Sequence, residues 1–199
     1  MRADEELLEA WRAGDGGAGE ELFDRHFRAV TRFFRNKAPE AMDDLMQQTF
    51  VGVLEGRERF RGEGPFRSFL FGVAYNVLRE HYRARRRDEE RIDFGVTSVH
   101  DLAPRPSELL ADRRDERVLL EALRRVPLQH QVLLELYFWE PLPAPRIAEI
   151  LDVPVGTVRT RLRRAKELLA AEVQRLAPGG GDLESTLTRL DDWARSLKA

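Results

Sequence analysis

Apolar residues recur at three- and four-residue intervals along most of the chain, and no stretch sustains the alternation of a strand. Asp4–Arg12 reads as a short helix ended by Gly14, Gly16 and Gly17. A second helix spans Ala18–Lys37, with Leu22, Phe23, Phe27, Val30, Phe33 and Phe34 repeating along it, and stops at Pro39. A third fits Asp43–Glu55 through Leu45, Met46, Thr49, Phe50, Val53 and Leu54. The glycine-bearing loop Phe60–Pro65 interrupts the pattern. A fourth helix then runs from Phe66 to about Arg87, with Phe66, Phe69, Leu70, Val73, Ala74 and Val77 on one face. Together these elements predict one helical domain over residues 4–87.

Residues 88–111 contain Gly95, Pro104 and Pro106 and show no clear period, so they read as a flexible linker. A second helical domain follows over 112–176. Its helices are expected at Asp112–Val126, Leu128–Trp139, Pro145–Leu151 and Val155–Leu176, with Pro127 where a first-turn proline is tolerated. Pro178 and three glycines separate a tail over 182–199. Leu183, Leu187, Leu190, Ala194 and Leu197 give that tail one apolar seam, with Trp193 beside it and Asp182 as N-cap. The seam suits either packing back on one of the two domains or docking a partner. The fold class is therefore all-α: two small helical domains, an acidic linker and a C-terminal helical extension.

Composition narrows the classes. Hydrophobic residues make up 42% of the chain and charged residues 34%, which suits compact cores under a charged surface. The absence of cysteine excludes disulfides, Cys-type zinc sites and thiol redox sensing. Three acids follow Met1-Arg2-Ala3 and no apolar run approaches a membrane span, so a cytoplasmic protein without membrane insertion is expected. The net charge of -2 hides segregation. Residues 79–87 carry five Arg against one Glu, and residues 157–166 carry five cations and no acid. Between them, residues 88–112 hold seven acids against two Arg. Nucleic-acid affinity follows such local basic surface rather than the chain average.

The stretch from Pro145 to Lys166 has the organisation of a helix-turn-helix. Ile147, Ala148, Ile150 and Leu151 would pack the first helix, Val153 and Val155 would fill the angle, and Val158 and Leu162 would bury the inner face of the second. Arg159, Thr160, Arg163 and Arg164 are left on the outer face near its start, where a major-groove reader places base-contacting side chains. The bland counterpart is a solvated basic face on an ordinary amphipathic helix.

Val155-Gly156-Thr157-Val158-Arg159-Thr160-Arg161-Leu162-Arg163-Arg164-Ala165 resembles the signature of the second DNA-binding domain of extracytoplasmic-function (ECF) sigma factors. The resemblance implies -35 promoter contacts by Arg159, Thr160, Arg163 and Arg164. Pro143-Ala144-Pro145-Arg146 departs from the family's usual Tyr-x-Glu entry to the first helix. Asp43-Asp44-Leu45-Met46-Gln47-Gln48-Thr49-Phe50 is similar to the family's polymerase-docking segment, with Gln48 replacing the usual acid. It implies a polymerase contact built on Asp44, Leu45, Gln47 and Gln48; by spacing, Leu45 and Phe50 can face inward while Asp44, Gln47 and Gln48 stay exposed.

The run Phe60–Asn76 resembles the family's Phe-Arg-Gly segment and following helix, with Phe69 where Trp is common. In relatives this region captures a flipped -10 base. Arg61, Arg67, Asn76, Arg79 and Arg83 are the polar candidates for that role, while most of Phe66, Phe69, Leu70 and Val73 is assigned to core. The resemblance further implies core RNA polymerase, promoter DNA and an anti-sigma factor as partners, a linker path through positively lined polymerase channels, and no cofactor or metal. The alternative is a helix-turn-helix regulator that never associates with polymerase, which leaves residues 43–87 unaccounted for. Four scattered histidines and the absence of hydrolase or nucleotide-binding motifs argue against an enzyme.

Overall fold

The computed structural model describes residues 2–60, 64–85, 93–102 and 114–178, together with residues 188, 190 and 192. Among these the secondary structure is helical, apart from one isolated bridge between Ser98 and Pro127. The chain divides into two compact units: residues 1–90 with 149–151, and residues 91–148 with 152–199.

The first unit contains α1 (Asp4–Arg12), α2 (Gly16–Arg35), a 3-10 turn (Pro39–Ala41), α3 (Met42–Gly56) and α4 (Phe66–Arg85). Only Gly14, at φ +102°, serves as the break between α1 and α2. Gly16 and Gly17 already belong to α2, because the Asp15 side chain accepts from the Ala18 amide at 3.2 Å and starts the helix there. Asp4 ties the two helices together through 2.6 Å and 2.7 Å contacts with Arg25 and His26. Burial alone would raise the Asp4 pKa, but the His26 charge and the hydrogen bonds from Arg25 and His26 outweigh it and hold the carboxyl below its ordinary value.

Two helical faces differ from the sequence expectation. On α4 the buried row is Phe66, Leu70, Phe71, Ala74, Tyr75, Leu78 and Tyr82, while Phe69, Val73 and Val77 are half-buried. Packing on three sides pulls the i, i+4 row inward and rotates Phe69 out of the core. On α3, Leu45, Met46, Thr49 and Val53 are buried, but Leu54 is 44% exposed. The α3/α4 approach is close at Gly52, where a Cβ would lie 2.8 Å from Val73 Cγ1.

The second unit contains α5 (Val99–Leu102), α6 (Arg114–Arg125), α7 (Leu128–Phe138), α8 (Ala144–Leu151) as far as Ala148, and α9 (Val155–Leu176). Its core gathers Leu119, Ala122 and Leu123 of α6, Leu134 of α7, and Ala165, Leu169 and Val173 of α9, with Val126 and Trp139. Within the segment expected as linker, residues 93–102 carry structure. Pro127 gives α7 no side-chain cap, so its first amides donate to that segment instead, Leu128 to the Thr97 carbonyl and Gln129 to the Phe94 carbonyl, each at 2.9 Å. Ser98 and Asp101 cap α5 reciprocally, the hydroxyl donating to the carboxylate at 2.6 Å, and Val99 is fully buried. Leu190 of the tail is fully buried in the same core, which is the intramolecular one of the two alternatives the seam left open for it. The expectations for Asp182, Leu183, Leu187, Trp193, Ala194 and Leu197 lie outside the described residues.

Candidate nucleic-acid and polymerase interfaces

The helix-turn-helix forms as the spacing requires. Helix α8 starts with the Arg146 and Ile147 amides donating to the Pro143 carbonyl, so the unusual entry still begins a helix, at Ala144. It ends at Leu151; Asp152 follows at φ +53°, and the Val153 amide donates back to the Ala148 carbonyl at 3.0 Å. Aspartate tolerates that left-handed conformation better than most residues, which lets the chain reverse without glycine. The Thr157 and Val158 amides then donate to the Pro154 carbonyl and open α9.

On α9 the inner row is Val158, Ala165, Leu169 and Val173, all buried. Arg159, Thr160, Arg163 and Arg164 are all exposed on the opposite side. Thr160 Oγ1 is turned toward the Gly156 carbonyl at 3.2 Å, and Arg164 pairs with Glu167 at 3.4 Å. Arg161 and Lys166 do not join this face. Arg161 is half-buried, and the Lys166 ammonium sits over the rings of Tyr137 and Phe138, 5.2 and 5.4 Å from their centroids. Near the start of α7, His130 has its pKa lowered by burial first and then by the charges of Arg161 and Arg164.

On α3, Asp44, Gln47 and Gln48 are exposed. Leu45 is 1% exposed and belongs to the core of the first unit, so its assignment to a polymerase contact is corrected. The helical period puts it on the row of Thr49 and Val53, on the far side of the helix from Gln47 and Leu54. The outer stripe continues instead into Val51 and Leu54, both 44% exposed, beside Phe27 of α2 at 51%. Phe27 and Phe50 have nearly parallel rings with centroids 6.4 Å apart. Sequence reasoning placed Phe27 and Leu54 among the helix-forming apolar positions; the signal it missed is that Val51 and Leu54 follow Gln47 at helical spacing.

Helix α4 divides the remaining candidates. Asn76, Arg79 and Arg83 fall within one face, Asn76 and Arg83 exposed and Arg79 half-buried over the Tyr75 ring at 5.7 Å. Arg83 pairs with Glu80 at 2.7 Å. Arg67, nine residues before Asn76, lies roughly 180° around the helix and is not brought to that face. Arg61 lies outside the described residues. Toward the start of α4 the same stripe passes Gly72, where added side-chain volume would meet open space, and reaches Phe69. Phe69 stacks on Phe60 with centroids 4.7 Å apart and planes at 14°. An aromatic pair at one end and arginines at the other form a platform of the kind that receives unstacked bases and their backbone.

Residues 22–88 match Sigma-70 region 2 and residues 116–169 match Sigma-70 region 4. The chain is 31% identical over 188 residues to the ECF RNA polymerase sigma-E factor of Haemophilus influenzae, covering 87% of this chain and 96% of that one. The chain belongs to the ECF family of RNA polymerase sigma factors. The Escherichia coli sigma-E factor is 25% identical over 182 residues, covering 87% and 95%. The fold is similar to that of CnrH in its complex with the cytosolic domain of CnrY, with TM-score 0.64, 23% identity and coverage of 87% and 99%. It is also similar to sigma factor RpoE of Bartonella quintana in complex with the anti-sigma factor NepR, with TM-score 0.60, 18% identity and coverage of 78% and 96%.

As an ECF sigma factor, the protein directs transcription initiation through regions 2 and 4, and the family is not enzymatic. Membership sets aside the regulator that never meets polymerase. No helix among the described residues is long and apolar enough to cross a membrane. No group of His, Asp or Glu among them could hold a metal ion.

Proposed function

We propose that the domain of residues 4–87 docks on core RNA polymerase and opens the -10 region, while the domain of residues 112–176 reads the -35 element. The observation that carries this reading is the separation of faces: polar residues stand outside helices whose inner rows are buried. Arg159, Thr160, Arg163 and Arg164 are the -35 readers, supported by their common exposed face on α9. Asp44, Gln47 and Gln48 form the polar half of the polymerase contact, and Val51, Leu54 and Phe27 its apolar half. Phe60, Phe69, Asn76, Arg79 and Arg83 receive the opened -10 strand.

The acidic segment between the domains follows a positively lined path in polymerase, which its charge suits. An anti-sigma factor is a further partner, supported by the NepR complex of the Bartonella protein. The cytoplasm, where polymerase works, is the location of the protein. Gel filtration with purified core polymerase, followed by run-off transcription from a promoter library, tests the whole reading. Co-elution and transcripts sharing -10 and -35 sequences are expected. Failure to co-elute would overturn the assignment of the first domain, and transcripts lacking a shared -35 sequence would overturn that of the second.

A further inference from the structure

Helix α1 lies before residue 22, where the Sigma-70 region 2 match begins. Its last residue, Arg12, is nevertheless bonded far along the chain. Nε donates to the Arg57 carbonyl at 3.0 Å and Nη2 to the same oxygen at 2.7 Å. Nη2 also donates to the Phe60 carbonyl. Nη1 pairs with Glu9, one turn back on α1, at 2.7 Å, and the Arg12 side chain is only 18% exposed. The guanidinium carbon lies 5.9 Å from the Phe60 ring centroid, and the Arg57 guanidinium in turn sits 4.9 Å from that of Trp11.

These contacts fall on the segment that leaves α3 after Gly56 and carries Phe60 against Phe69. Carbonyls beyond a helix end have no partner within the helix. A guanidinium is planar and presents its donors in a fixed fork, and bonds from a charged donor are shorter and stronger than neutral ones. Holding two carbonyls three residues apart in one rigid fork sets both the path of the segment and the orientation of the ring at its end. Glu9 aims the fork from behind.

We propose that Arg12 is a positioning residue for the -10 reader, fixing Phe60 against Phe69 and so shaping the platform that receives an unstacked promoter base. The inference rests on the reading of that platform given above. A purely structural Arg12 would, on removal, weaken every activity of the domain together. A positioning Arg12 controls base preference in the -10 region and leaves polymerase docking through α3 intact.

The test uses holoenzyme assembled from the full chain and core polymerase, with run-off transcripts sequenced from promoters randomised in the -10 and -35 regions. Arg12→Gln is expected to lower output by about tenfold, as expected for loss of charge-assisted hydrogen bonds. It should flatten base preference in the -10 region while the -35 preference and co-elution with polymerase persist. Arg12→Lys keeps the cation but lacks the fork, and should recover part of the -10 preference; it is the deciding variant should Arg12→Gln not fold. Full -10 preference in Arg12→Gln, or -10 preference and polymerase co-elution lost together in Arg12→Lys, would overturn the role of Arg12. A wild-type profile with no -10 preference would instead overturn the reading of the platform.

Discussion

Phe60 and Phe69 lie face to face across the break between α3 and α4, their centroids 4.7 Å apart and their planes 14° from parallel. Phe69 is half-buried, whereas Phe66 and Leu70 on either side of it are buried completely or nearly so. Base stacking on an aromatic surface contributes about 1–3 kcal/mol per base. Phe69→Ala should therefore reduce initiation at promoters with a fixed -35 element by about tenfold or more. Phe69→Trp should retain most of it. Permanganate footprinting of the opened strand checks both variants.

Leu45 and Leu54 occupy one helix but opposite sides of it. Leu45→Ala leaves a cavity in the core of the first unit and should destabilise it by about 2–5 kcal/mol. Leu54→Ser, at a position 44% exposed, should change stability by less than about 0.5 kcal/mol yet weaken capture by core polymerase. Thermal unfolding and a polymerase binding titration on the same two variants separate the effects.

Arg164→Ala removes an exposed cation of α9 whose partner within the chain is Glu167, at 3.4 Å. Transcription that depends on the -35 element should fall by an amount equivalent to about 1–3 kcal/mol, with polymerase co-elution unchanged. Loss of co-elution in this variant would show that α9 serves polymerase rather than DNA.

His130 provides a pH signature. Its folded pKa is lowered by burial and by Arg161 and Arg164, so the native state favours neutral imidazole. The unfolded chain then binds the extra proton more readily. Stability is complete above the unfolded value of about 6.5 and declines as pH falls from there toward the lowered folded value. His130→Gln should flatten the dependence of thermal stability on pH in that window and leave it unchanged above it.

Gly52 faces Val73 where α3 crosses α4, and a Cβ there would come within 2.8 Å of Val73 Cγ1. A valine on a helix has little rotamer freedom with which to yield. Gly52→Ala should cost about 1–3 kcal/mol of stability through overpacking. The double variant Gly52→Ala with Val73→Ala should recover much of that loss in thermal unfolding.

The local pattern was enough for the longer helices, their order and the helix-turn-helix, but not for α5, which falls in the segment read as linker. Val155–Leu176 matches the helix read from its period, and Arg159, Thr160, Arg163 and Arg164 share the face that its spacing assigns them. Those properties depend on a helical repeat of fixed angle and on one buried row, both written in neighbouring residues. The departures have a different origin. Asp15 rather than the glycines decides where α2 starts, because a side-chain cap outweighs the weak helix propensity of Gly16 and Gly17.

Sequence by itself determined which residues are apolar and at what angle each leaves its helix, and so it determined two helical domains with polar outer faces. It did not determine how wide the buried row on each helix is, since that depends on how many neighbours pack around it. Only tertiary packing rotated Phe69 out beside Phe60, left Val51, Leu54 and Phe27 uncovered and buried Leu190 in the second unit. The fork of Arg12 on the Arg57 and Phe60 carbonyls belongs to the same class. Backbone carbonyls carry no sequence signature, and a contact 45 residues away exists only once α1 has docked.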